Sequence, residues 1–296
     1  MKGLELSELF FEEHRSVLEG YCDIAAAGLF GPGSECFGFD DEISRDHDFS
    51  ADFYILIPQS EDARAGVPLA RAYNALPDEF LGVKREKKSA LGFLRGVMTV
   101  EGFFRSTVGS DYGPESIFDW LYTPSYALAA ASNGRVFFDG CGKLTHIRQH
   151  ILHGMPEDVR RKKLAARAAG MAQSGQYNYE RCIKHGEKGA AALALAEFAG
   201  QAAEMIYLLN KKHKPFYKWC FKGMDGLGIL GNLKEKIEAL FEGNTDNIEL
   251  ICADVIRELD VQGLSFSKST YLENHAFEIM KRIENRDLSC MHVMEG

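Results

Sequence analysis

The spacing of hydrophobic positions changes about halfway along the chain. Near the start, Leu6, Leu9, Phe10, Val17 and Leu18 recur at helical steps, which predicts a short amphipathic helix within residues 4–19. "DIAAAGLF" follows as a strand candidate that runs into Gly31-Pro32-Gly33. "DFYILIP", residues 52–58, is short and almost wholly apolar, the pattern of a buried strand. Residues 61–92 are polar with scattered apolar positions and read as partly helical. "GVMTVEGFF" and "GRVFFDG" supply further strand-like runs, with helical "PESIFDWLYTPSYALAAAS" between them. Strands alternating with helices predict a layered α/β or α+β arrangement.

Beyond Pro156 the pattern becomes helical throughout. "PEDVRRKKLAARAAGMAQSGQYNYERCIKHG" reads as one long helix, with proline at its start and Gly186 at its end. "EKGAAALALAEFAGQAAEMIYLLNKKHK" is apolar on most sides, as the central helix of a bundle should be. Ile248, Ile251, Cys252, Val255, Ile256 and Leu259 form a further stripe. Asp246 with Glu249, and Thr270 with Glu273, have the spacing of capping boxes. The fold class expected is α+β: a mixed sheet with helices over residues 1–154, then an all-helical bundle over residues 155–296.

Composition narrows the function classes. The chain has 296 residues and a formal net charge of −9, which argues against a protein that tracks nucleic-acid phosphates. The seven cysteines are scattered without a C-x-x-C pair, and read as reduced thiols of a cytoplasmic protein. The first twenty residues lack the basic start and clean apolar core of a signal peptide. No apolar run reads as long enough to span a bilayer, so no membrane partner is expected.

Candidate chemistry concentrates in "GPGSECFGFDDEISRDHDF", residues 31–49. Asp46 and Asp48 flank a single residue, so on an extended segment both carboxylates face one side. Two such carboxylates repel one another unless a divalent cation lies between them. Mg²⁺, or Mn²⁺, suits a site of carboxylates and phosphate oxygens. Upstream, Gly33 and Ser34 offer bare backbone and a hydroxyl to phosphate oxygens. Arg45 either neutralises the acidic cluster or contacts a phosphate. "HIRQHILH" puts His146, His150 and His153 at helical spacing, but it lacks the glutamate of H-E-x-x-H and reads as surface histidines. In the helical half, Tyr177, Asn178 and Arg181 form one mixed aromatic and cationic group, and Lys214, Tyr217 and Lys218 another. Such groups suit a triphosphate, a base or an acceptor, or else pack between helices.

A Gly-Ser turn followed after roughly a dozen residues by Asp-x-Asp resembles the signature of the polymerase-β type nucleotidyltransferase superfamily. "GSECFGFDDEISRDHDF", "GQYNYERCIKHGEKGAA" and "YLLNKKHKPFYKW" together resemble the DUF4037 family. The resemblance implies a nucleotidyltransferase domain whose helical second domain helps to bind the acceptor, as in antibiotic nucleotidyltransferases. It implies transfer of a nucleoside monophosphate from a nucleoside triphosphate to a hydroxyl of a small molecule, with Asp46 and Asp48 as metal ligands. It also implies a third carboxylate, and Glu101, Asp139 and the Glu197–Glu204 pair are the candidates. The alternative is a nucleotide-binding or regulatory module that keeps the pocket without turnover.

Overall fold

Contacts between elements divide the chain into two units, Met1–Glu115 with Thr123–Gly154, and Ser116–Tyr122 with Met155–Gly296. The computed structural model describes residues 1–43, 49–85 and 95–296. Helices dominate it, with a small mixed sheet in the first unit.

That unit begins with α1 (Gly3–Glu13), β1 (Ala26–Leu29) and β2 (Tyr54–Ile57). Next come α2 (Val67–Asn74), the short hairpin β3 (Glu79–Phe80) and β4 (Val83–Lys84), then β5 (Val97–Thr99) and α3 (Val100–Val108). After α4 (Ile117–Tyr122), which belongs to the other unit, α5 (Ser125–Ser132), β6 (Arg135–Asp139) and α6 (Lys143–His153) complete it. The sheet order is β5-β2-β1-β6, with β1 antiparallel to β2 and β6, and β2 parallel to β5. All four residues of β1 and of β2 are buried, as continuous apolar strands should be. Leu6, Phe10 and Phe11 of α1 pack over Ala27, Phe53 and Ile55 to form the core on one sheet face.

One expected strand is half helix. "GVMTVEGFF" stays extended only to Thr99, whose side chain accepts the Gly102 amide at 2.9 Å and caps α3. A threonine cap satisfies one of the orphan donors of the first turn and so switches the chain from extended to helical.

The second unit contains α4 and α7 (Glu157–Met171), a π-helical stretch at Ala172–Tyr179, and α8 (Glu180–Lys184). These replace the single long helix expected, which does start after Pro156 and close at Gly186, with φ of +77°. α9 (Lys188–Leu209) runs antiparallel to α7: Arg160 donates to the Leu208 carbonyl at 3.2 Å, Arg167 reaches Glu204 at 3.3 Å, and Gly175 faces Phe198. Around them lie α10 (Tyr217–Met224), α11 (Leu233–Glu238), α12 (Asn247–Val261), α13 (Leu272–Met280) and α14 (Arg286–Ser289). Contrary to the expectation of no spanning run, α9 is long and apolar enough to cross a membrane by length and composition, with 56% of its most apolar window buried. Phe198, Ala202, Met205, Ile206 and Leu209 set it in the core of this unit, where a central bundle helix would lie.

Neither expected capping box forms. Asp246 makes no side-chain cap, and α13 begins after Tyr271 rather than Thr270. Gln176, from the π-helical stretch, does the work at α13. Its Oε1 accepts the Leu272 amide at 2.9 Å, and its Nε2 donates to the Thr270 carbonyl at 3.0 Å and to Glu249 at 2.8 Å.

The approach of the π-helical stretch to α9 depends on a missing side chain. A Cβ on Gly175 would lie 2.3 Å from the Phe198 ring, well inside van der Waals contact. Gly175→Val should therefore destabilise the protein by about 1–3 kcal/mol, the usual range for overpacking. Urea denaturation measures the loss, and Phe198→Leu in the same chain should recover part of it.

Candidate functional site

β1 leads into a tightly held turn. Gly31 takes φ of +130°, its amide donates to Asn133 Oδ1 at 2.9 Å, and its carbonyl accepts from Asn133 Nδ2 at 2.6 Å. Asn133 ends α5, and the carbonyls of Ala131, Ser132 and Asn133 accept from the Arg148 guanidinium at 3.1, 3.1 and 2.5 Å. Arg148 also lies 5.0 Å over the Phe30 ring, and burial pushes its pKa down to about 10. Next, Ser34 takes helical angles and opens the 3₁₀ turn Glu35–Phe37; its carbonyl accepts the Phe37 and Phe39 amides at 3.1 and 2.9 Å. Among the described residues, the Gly33 and Ser34 amides donate no hydrogen bond. Open amides at such a turn can receive an anion.

Two buried ion pairs brace this end of the sheet. Glu35 pairs with Arg95, just ahead of β5, and Arg95 Nη1 also donates to the Ser50 carbonyl at 3.4 Å. Burial disfavours the Arg95 charge, but Glu35 outweighs it and holds the guanidinium above its usual pKa. Asp52 accepts from Arg85 at 2.6 Å and from Tyr73 at 2.9 Å. The sequence reading missed Glu35, Asp52, Arg85, Arg95 and Arg148. Nothing in their local spacing marks them, since their partners lie far along the chain.

Arg45, Asp46 and Asp48 lie outside the described residues, but the sheet fixes the ends of the segment that carries them. In the β1–β2 register Gly28 opposes Tyr54, so the chain leaves β1 and enters β2 at the same end of the sheet. The Gly31–Ser34 turn and the approach to β2 share that end.

Glu101 does not. β5 is parallel to β2, with Thr99 opposite Ile57, so Glu101 follows the far end of both strands. There it accepts the Gln59 amide at 2.9 Å and the Lys143 ammonium at 2.5 Å. Asp139 is likewise at the far end, opposite Ala26, and accepts the Gly142 and Thr145 amides at 2.9 and 2.8 Å at the start of α6. His150 bonds the Pro114 carbonyl at 2.7 Å. Among the described residues, no three His, Cys, Asp or Glu side chains gather as a metal cage.

In the helical unit Glu204 meets two cations, Arg167 at 3.3 Å and Lys214 at 3.2 Å. Burial would raise its pKa, but Lys214, Arg167 and Lys163 together hold it below the usual carboxylate range, which makes it a weak proton acceptor. Glu197 accepts from Gln201 at 2.5 Å. Arg181 lies 4.9 Å over the exposed Tyr177 ring, with the partly buried Asn178 beside them in sequence. Lys218 lies 5.6 Å over Trp219, and the exposed Tyr217 packs against Phe216 at 4.4 Å. These groups do not converge. Arg181 follows Arg167 by fourteen positions, roughly 20 Å along a helix axis, so it is remote from Glu204. Lys163 and Arg167, which the sequence reading passed over, are the residues brought to Glu204. Their four-residue spacing on α7 was visible in "RRKKLAARAAG".

Glu101 also generates a prediction about pH. Burial opposes its charge, yet Lys143 and the neighbouring amides outweigh burial and lower its pKa. The unfolded state therefore binds its proton at higher pH than the folded state. This contribution to stability is complete above the usual carboxylate range and is lost as pH falls through the folded value. Thermal unfolding of Glu101→Gln should show a flatter fall in stability on acidification than the parent protein. At the turn, Arg148→Met should leave the α5 carbonyls unpaired and lower stability by about 1–3 kcal/mol or more, read by urea denaturation.

Residues 120–220 match a family described as Domain of unknown function (DUF4037). The match spans Lys163, Arg167, Glu204 and Lys214 and lies outside the Gly33-Ser34 and Asp46–Asp48 segments. No curated protein and no solved structure matches the chain. The match supports the resemblance to the DUF4037 family, and that family's description carries no activity.

Proposed function

We propose that the protein is a Mg²⁺-dependent nucleotidyltransferase, moving a nucleoside monophosphate from a nucleoside triphosphate to a hydroxyl of a small acceptor. The observation that carries this reading is the antiparallel pairing of β1 with β2. It brings the Gly31–Ser34 turn and residues 49–53, the approach to β2, to one end of the sheet, which supports a site that Asp46 and Asp48 would complete. Gly33 and Ser34 would receive phosphate oxygens on their open amides. The donor set is hard and anionic, two carboxylates with no described cysteine or histidine cluster, which fits Mg²⁺ rather than a softer metal. When bound, the metal would offset phosphate charge during in-line displacement.

A second reading has its own observation. Glu101 is at the opposite sheet end, and Glu204 is held ionised by cations, so neither is well suited to take the acceptor's proton. A nucleotide-binding module with the same pocket and no turnover needs no such base.

Thermal shift separates both readings from misassignment. A nucleoside triphosphate should raise the melting temperature only with Mg²⁺ or Mn²⁺ present, by mass action on the folded state. Asp46→Asn with Asp48→Asn should abolish that shift, and an undiminished shift in the double variant would sink the proposal. Pyrophosphate release over a panel of triphosphates and acceptors then decides between enzyme and module.

A further inference from the structure

The face that α7 turns toward the C-terminal part of α9 carries charges for which the proposed transfer reaction has no use. Lys163 and Arg167 come from α7, Glu204 from α9, and Lys214 from the segment after it. Arg167 and Lys214 each touch Glu204, while Lys163 senses Glu204 and Arg167 without an ion pair to any described residue. Among the described residues, the Lys163 ammonium also donates no hydrogen bond, although the residue is only 6% exposed. Burial pushes its pKa down to about 8, against the opposing pull of Glu204.

Two more polar atoms at this level lack partners. Arg167 Nε and Gln201 Oε1 are buried without a hydrogen bond to any described residue. Gln201 lies one turn before Glu204, pressed against Gly170, where a Cβ would come within 2.8 Å of its amide carbon. Arg167 spends its other nitrogens on Glu204 and on the Gly296 carbonyl. Buried polar groups are normally satisfied, because desolvation without a partner is costly. Here an ammonium, a guanidinium nitrogen and an amide oxygen stand unsatisfied together, and three cations face one carboxylate.

We propose that Lys163, Arg167 and Lys214 form a site in the helical unit for a phosphate dianion, with Gln201 accepting a hydrogen bond from a ligand hydroxyl. The Lys163 ammonium and the unbonded Arg167 Nε suit an anion that can accept from both, and phosphate offers several oxygens and charge for more than one cation. Arginine supplies directed donors, and the lysines supply point charges. The phosphate can belong to a nucleotide or to a separate phosphorylated ligand. The inference does not depend on nucleotidyl transfer, since every residue it uses lies in the helical unit.

The test is calorimetric titration with inorganic phosphate in metal-free buffer, against chloride at equal ionic strength. The parent protein should bind phosphate saturably. Lys163→Met keeps the apolar stem and removes the charge, and it should weaken binding about tenfold or more. Glu204→Gln removes the competing carboxylate and should tighten binding. Absence of saturable phosphate binding, or undiminished affinity in Lys163→Met, overturns the proposal. Where Lys163→Met fails to unfold cooperatively, Glu204→Gln decides, and unchanged or weaker affinity there overturns it. A further arm uses ATP without metal. Loss of both ATP and phosphate binding in Lys163→Met upholds the site as a nucleotide's, and loss of phosphate binding alone upholds it as that of another phosphorylated ligand.

Discussion

The glycine-rich end of the sheet hangs on one buried guanidinium. A helix leaves its last carbonyls unpaired, and at α5 these carbonyls are buried with Arg148. A cation there satisfies the carbonyls and complements the helix dipole, so the cost of burying the charge is offset. From that point constraint passes along the chain. Asn133 is fixed with the helix end, and both its amide groups fix Gly31. The turn then delivers Glu35 to Arg95 at the start of β5. The proposed anion-binding turn would need its backbone amides held before an anion arrives, and this relay holds the turn that carries them.

The helical unit applies the same device, which makes its exception informative. Arg160 ties α7 to the Leu208 carbonyl near the end of α9. Lys162, fully buried, donates to the carbonyls of His292, Val293 and Glu295, so its ammonium is matched by the C-terminal segment. Lys163 is next in sequence, nearly as buried, and unmatched among the described residues. Both lysines are pushed down to about 8 by burial, yet only Lys162 has carbonyls at its tip. Of these two neighbouring buried lysines, Lys163 is the one whose ammonium is left without an acceptor among the described residues, and the phosphate proposal rests on that difference.

Patterning made the apolar strands β1 and β2 legible, because a strand buried on both faces writes itself as a continuous apolar run. It could not show where β5 stops, since "VMTVEGFF" is apolar through a change of conformation that one threonine side chain decides. The capping boxes failed for a related reason: spacing alone cannot know that Gln176, nearly a hundred residues away in sequence, already satisfies the Leu272 amide. Candidate site residues followed the same division. The Gly31–Ser34 turn was visible because its signal is local. The end of the sheet that Glu101 occupies was not, because it depends on β5 being parallel to β2. Arg181 and Lys214 looked alike as cations near aromatics, yet the antiparallel register of α7 with α9 separates them and brings Lys163 and Arg167 to Glu204 instead.

Gly33 shows how far a motif residue can carry a functional argument. A glycine ahead of a serine invites the reading that a phosphate must approach the backbone. Yet a Cβ at Gly33 would lie 2.1 Å from the Glu35 carboxylate, so a larger residue there would displace Glu35 from its pairing with Arg95, which gives glycine a packing role of its own. The glycine is thus explained whether or not a phosphate binds, and it distinguishes neither reading. What bears on phosphate is the pair of open amides and the β1–β2 pairing, because neither is needed to seat Glu35. The two requirements also reinforce each other. By anchoring Glu35 to Arg95, the chain fixes the 3₁₀ turn whose first amides remain unbonded, so a packing constraint prepares the surface on which an anion would rest.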